Sequence, residues 1–131
     1  MKKSKLLNQD LSSVIAGMGH KDELVIADAG LPIPGSTQRI DLALTPNIPA
    51  FLDTLRAVLS ELQIEKAIVA EEMPAESPQV YRAVVALLES VQVDMIPHEE
   101  FKRRSQSVVA IVRTGEFTPF ANIILVAGVV F

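Results

Sequence analysis

The stretch KDELVIADAGLPIPG, residues 21–35, sets the architecture. Glu23 to Ala27 is a five-residue run, apolar after its first member. It is too short for a helix and lacks the polar alternation of a strand with one wet face, so it reads as a strand buried on both sides. An aspartate ends it. Two prolines with flanking glycines then force an irregular loop, because proline fixes its own φ and brings no amide hydrogen. A strand covered on both faces needs a layer above and a layer below, which in a chain of 131 residues means helices packed on a sheet.

Working outward, the pattern repeats. Upstream, Leu7, Leu11, Val14, Ile15 and Met18 recur at helical spacing and predict a helix over 8–18, with Asn8 or Asp10 as its cap and Gly19 at its stop. Downstream, RIDLAL (39–44) alternates as a half-buried strand, and Pro46 and Pro49 punctuate the chain. Phe51, Leu52, Leu55, Val58, Leu59 and Leu62 then form the stripe of a helix over 50–62. KAIVAE (66–71) is a strand. Ser77-Pro78 opens a helix that runs to Leu88, with serine as N-cap and proline at the first helical position. VQVDMIP (91–97) reads as a strand, HEEFKRRS (98–105) as a short helix, and VVAIVRT (108–114) and NIILVAGVVF (122–131) as two more strands. The expected fold is therefore α/β: one domain spanning 1–131, three layers α/β/α, with a mixed, largely parallel central sheet. The two closing strands lack a helix between them, so they are expected to run antiparallel or to reach a neighbouring copy.

Composition narrows the function. Hydrophobic residues make up 49% of the chain and aromatic ones 5%, which predicts an aliphatic core rather than disorder. A formal net charge of −4 argues against nucleic acid or an anionic membrane as partner, and the one dense basic run, Lys102-Arg103-Arg104, suits a solvated helix face. The absence of cysteine removes disulfides, thiol nucleophiles, thiolate zinc sites and iron–sulfur clusters. The N-terminus MKKSKLLNQD has no apolar run behind its charges, and the apolar stretch Ile123–Phe131 falls short of the roughly 20 residues a spanning helix needs. A cytoplasmic protein is expected. The glycines of GMGHKD close a helix and precede a strand, the reverse of a dinucleotide fingerprint, and neither a phosphate-binding loop nor a G-x-S-x-G elbow occurs.

What remains is proton transfer. His20 stands at a helix stop, Asp28 at a strand stop, and His98 and Asn122 at further element ends. Loops beyond the carboxyl ends of strands are where open α/β sheets bind ligands. An imidazole donating to one oxygen while a second group accepts from another suffices to open and close a sugar hemiacetal. Bland readings stand beside this one. His20 complements the negative end of a helix, Asp28 starts an Asx turn, His98 opens a helix without a task, and Asn122 satisfies loop backbone. A two-histidine, one-carboxylate metal site from His20, Asp28 and His98 also stays open.

The segments GHKDELVIADAGLPIP (19–34), RIDLAL (39–44), IPHEEFK (96–102) and RTGEFTPFANIILVAGVVF (113–131), with MKKSKLLN (1–8) and IEKAIVAEEM (64–73), resemble the RbsD-like family of D-ribose pyranases, which also contains L-fucose mutarotase. The resemblance runs in order over essentially the whole chain. It implies interconversion of β-D-ribopyranose and β-D-ribofuranose, which supplies the furanose that ribokinase phosphorylates. It implies His20 as proton donor, with Asp28, His98, Phe120, Ala121 and Asn122 at sugar-contacting positions and no metal or coenzyme. It further implies pentameric rings, often paired into decamers, with the sugar near the junction of subunits. One position departs from the pattern: members typically carry tyrosine where this chain has Phe120.

Overall fold

A computed structural model describes residues 1–131. Six strands form one sheet: β1 (Glu23–Ala27), β2 (Gln38–Asp41), β3 (Ile64–Ala70), β4 (Gln92–Ile96), β5 (Ala110–Arg113) and β6 (Ile123–Ala127). Their order across the sheet is β2-β5-β1-β6-β3-β4. β2, β5 and β1 run parallel, as do β3 and β4, and β6 lies between the two groups antiparallel to both neighbours. The mixed, largely parallel sheet is as expected.

The direction of β6 follows from its connection. The link from Arg113 to Ile123 holds no helix, and a parallel return needs a crossover of a dozen or more residues. The chain therefore turns back on the edge where β5 ended. β5 and β6 run antiparallel without touching, because β1 is inserted between them.

Helices α1 (Gln9–Gly17), α2 (Phe51–Leu59), α3 (Met73–Glu76) and α4 (Pro78–Leu88) cover one face. Alternate strand residues Leu24, Ile26, Val69, Val112, Ile123 and Leu125 point there and pack with Leu11, Val14, Phe51, Leu55, Val58, Val84 and Leu88. The opposite face is closed by α5 (His98–Arg104) and the proline loop: Val25, Ala27, Ile68, Ile111, Ile124 and Val126 pack beneath Phe101 of α5 and Leu31 of the loop. Strands β1 and β6 are thus buried on both faces, as the uninterrupted apolar runs required.

Local outcomes refine the reading. Asn8 caps α1, its Oδ1 accepting from the Leu11 amide at 2.9 Å. Ser77 precedes α4 as expected but makes no cap bond; its hydroxyl turns back to donate to the Met73 carbonyl at 3.3 Å, closing the unforeseen turn of α3. The strand expected over 39–44 stops at Asp41, whose Oδ1 accepts from the Ala43 amide at 3.1 Å and bends the chain away. At the other end of the chain, the run expected over 122–131 leaves the sheet after Ala127, and Val130 and Phe131 are fully exposed. No helix is long and apolar enough to cross a membrane.

Candidate active site

One edge of the sheet collects the carboxyl ends of the five co-directional strands and the amino end of β6. Asp28 follows β1, Thr114 follows β5, Pro97-His98 follows β4, and Asn122 precedes β6. Residues far apart in sequence become neighbours because β6 runs against the rest.

Asp28 and Asn122 form a reciprocal pair. The Asp28 amide donates to Asn122 Oδ1 at 2.8 Å, and Asn122 Nδ2 donates to Asp28 Oδ2 at 2.9 Å. Asp28 Oδ1 accepts from the Gly30 amide at 2.9 Å, an Asx turn that starts the proline loop. Asn122 is wholly buried while Asp28 is half-buried. The bland readings of both residues therefore hold, and they build something: a carboxylate fixed by two donors, with lone pairs left to face a ligand.

His98 and Phe120 form the second element of the site. Their rings meet edge to face, centroids 5.0 Å apart at 85°, while the other side of His98 lies over Phe101 at 6.3 Å. The His98 amide donates to both oxygens of the Glu72 carboxylate, at 3.2 and 3.1 Å, which fixes the start of α5. Its Nδ1 is buried with no hydrogen-bond partner in the protein, a group that costs free energy unless something binds it. Phe120 has φ of 60°, the left-handed region that bulky side chains avoid and that clusters at ligand sites. A three-residue turn, Asn122 N–H to the Phe120 carbonyl at 2.8 Å, sets the two side chains on either side of buried Ala121.

Between Asp28 and the 116–119 loop lies a cleft of about 400 Å³, lined by Asp28, Gly30, Arg113, Glu116, Phe117 and Thr118. That is within the size range of small-molecule sites. Glu116 shapes it, accepting from the Phe51 amide at 3.0 Å and from the Thr118 hydroxyl at 2.9 Å. Arg113 donates to the Ala29 carbonyl at 3.1 Å and to Asp41 at 3.2 Å. Neither residue was singled out from sequence; both lie inside the RTGE run, but charge in a loop is no signal by itself.

His20 is elsewhere. It precedes β1, in a turn whose Lys21 amide donates to the carbonyl of Ala127 at the far end of β6. Its Nε2 lies 2.9 Å from Glu65 Oε2, beside the first residue of β3. The five residues of β1 separate this turn from Asp28, a span of about 16 Å at strand rise. Within one chain, Asp28, His98, Phe120, Ala121 and Asn122 come together and His20 does not. The set His20–Asp28–His98 is likewise not assembled in one chain, and no cluster of three metal-ligating side chains forms.

Known proteins resemble this chain over its full length. The model of the RbsD / FucU transport protein family matches residues 1–130. Curated D-ribose pyranases from Coprothermobacter proteolyticus and Symbiobacterium thermophilum are 55% and 56% identical over 131 residues, covering all of both chains in each case. The structure of Bacillus subtilis RbsD complexed with D-ribose superposes with a TM-score of 0.97 at 44% identity, with complete coverage of both chains. The fucose mutarotase of Streptococcus pneumoniae, solved in complex with L-fucose, superposes at 0.85 with 27% identity and the same coverage. Six strands in the order β2-β5-β1-β6-β3-β4, a paired Asp28 and Asn122 at one edge and full-length likeness to these proteins lead to one conclusion: the chain belongs to the RbsD / FucU family.

Proposed function

We propose that the protein is a D-ribose pyranase, an isomerase that interconverts β-D-ribopyranose and β-D-ribofuranose through the open aldehyde. The observation that carries the reading is the full-length likeness, at a TM-score of 0.97, to an RbsD solved with D-ribose. The candidate residues suit the chemistry. The C–O bond of the ring breaks with its electron pair going to the ring oxygen, which takes a proton from the His20 imidazole. The anomeric O–H pair becomes the C=O bond, and its proton passes to a base, for which the fixed Asp28 carboxylate is the candidate. Closure through a different hydroxyl runs the transfers backward. His98, with its unpartnered Nδ1, and the Phe120-Ala121-Asn122 turn hold the sugar, and Phe120 offers an apolar ring face. A site built from hydroxyl-matching polar groups discriminates by leaving a wrong sugar's groups unpaired.

The reading requires assembly. His20 lies about one strand length from the other site residues, so a sugar touching both must sit between two copies of the chain. We place the protein in a closed homo-oligomer, a pentameric ring or a pair of such rings, with each site drawing His20 from a neighbour. A ring follows because joining two different edges makes a head-to-tail contact, which closes cyclically or grows without limit. The location is taken as cytoplasmic, with the sugar kinase that consumes the furanose.

Saturation-transfer NMR on D-ribose with catalytic amounts of protein tests the function. Faster pyranose–furanose exchange is expected. Binding with unaccelerated exchange would make the protein a sugar-binding subunit, and acceleration confined to L-fucose anomers in the same panel would make it a fucose mutarotase.

A further inference from the structure

We propose that Glu65 is a positioning residue for His20: it takes the imidazole's Nε2–H and leaves Nδ1 as the ring atom that exchanges a proton with the sugar. The proposal rests on the reading of His20 as the acid. Its basis is a carboxylate shared between two side chains of one turn. Glu65 Oε2 lies 2.9 Å from His20 Nε2, and Glu65 Oε1 accepts from Lys21 Nζ.

The backbone is arranged to produce this contact. In the turn Gly19–Asp22 the Asp22 amide donates to the Gly19 carbonyl at 3.1 Å, and the Gly19 amide donates to Asp22 Oδ2 at 2.8 Å. Lys21 occupies the third position with φ of 75°, where such turns ordinarily carry glycine. A glycine there would relieve the backbone but would lose the ammonium that holds Glu65. β6 pins the turn from the other side, with the Lys21 amide donating to the Ala127 carbonyl at 2.9 Å and the Ala127 amide to the Asp22 carbonyl at 2.8 Å. His20 and Lys21 thereby leave the turn toward the first residues of β3, where Glu65 stands.

The charges then fix the tautomer. The Lys21 ammonium first, and His20 second, hold the Glu65 carboxyl below its ordinary range, so it is ionised throughout neutral pH. An ionised carboxylate only accepts. The hydrogen between the two residues therefore belongs to Nε2, in the neutral ring as in the imidazolium, and the proton that comes and goes is on Nδ1. Asp22, the remaining charge at this turn, is engaged by the Gly19 amide. In catalysis Nδ1–H protonates the ring oxygen as its bond to the anomeric carbon breaks, Glu65 stabilises the imidazolium before transfer, and closure returns the proton to Nδ1.

The test uses the assembled protein and three variants. With only two histidines, 15N-labelled His20 is assigned by its loss in His20→Ala. In the neutral ring, His20 in the native protein is expected to show a protonated Nε2 and a bare Nδ1; the opposite tautomer overturns the proposal without any variant. Glu65→Gln is expected to stay folded and assembled, to lose the tautomer preference, and to lose about 10- to 100-fold in kcat, the scale on which partners of oriented histidines act. KM should stay within about twofold, and Glu65→Asp should recover part of kcat. Full activity in Glu65→Gln while His20→Ala is inactive overturns the role of Glu65 alone. Full activity in His20→Ala overturns the reading beneath it.

Discussion

A single imidazole separates the structural account of the site from the catalytic one. His20→Ala should lose of the order of 10²–10⁴-fold in exchange rate, the range for a general acid, and leave the melting temperature near native. A histidine serving only a helix end would show the reverse, a stability loss of up to about 1 kcal/mol with turnover intact. Asn122 is different, since its buried amide satisfies both the Asp28 amide and its carboxylate. Asn122→Ala should cost about 1–3 kcal/mol by orphaning those groups, read in a denaturant titration, and should also reduce exchange because the carboxylate loses its orientation. Phe120→Tyr adds a hydroxyl to a ring that meets His98 edge-on at 5.0 Å; rates across a panel of pentoses and hexoses should change while the fold does not. Identical kinetics throughout would make the ring mere packing. Asp28, His98 and Asn122 could be singled out from sequence as polar side chains at element ends, whereas Phe120 and Ala121 come from the family resemblance. Glu65 could not be singled out, since it lies 45 positions from His20 and the two meet only when β3 and β1 share a sheet.

At the level of elements, the strands were legible because burial on two faces leaves uninterrupted apolar runs, and ELVIA and IILVA are such runs. Their pairing was not, because a run buried on both sides is the same whichever neighbour it has. The loops hid more. The link between the two closing strands carries no helix or strand pattern, yet its Gly115 packs against the backbone of the 45–49 turn, and a Cβ there would lie 2.4 Å from the Ile48 carbonyl oxygen and 2.6 Å from that of Thr45. Gly115→Ala should therefore cost about 1–3 kcal/mol, as overpacking does, and should loosen the 116–122 loop that carries Phe120. A denaturant titration together with the exchange assay checks both effects, and a melt equal to native would show that the turn simply moves aside.

The whole molecule carries its ionic contacts outside the core. Glu61 is held below its ordinary value chiefly by Ser4, Glu65 by Lys21, Asp94 by Gln92 and Glu99 by Lys102. A carboxyl depressed on folding stabilises above its unfolded value and loses that contribution as pH falls through its folded one. The melting temperature should thus decline as pH falls below about 4, where these groups take up protons. Exposed pairs are weak and screened, so strong salt should flatten the decline. A melting temperature that held level or rose on going from about pH 5 to about pH 3 would refute the assignment. The proposed assembly rests, in the sequence, on the apolar run at the C-terminus together with the resemblance, and the separation of His20 from the other candidate residues supports it. Sedimentation should show a closed oligomer at micromolar concentration, and a stable monomer active in exchange would remove the shared site. The central place of β6 reaches beyond equilibrium into folding. Without β6 the other five strands can pair only as two unjoined leaves, β2-β5-β1 and β3-β4, each with a bare inner rim of amides and carbonyls. Neither leaf can seal the other, so the sheet closes only when β6 joins it, and until then those rims are open to other strands.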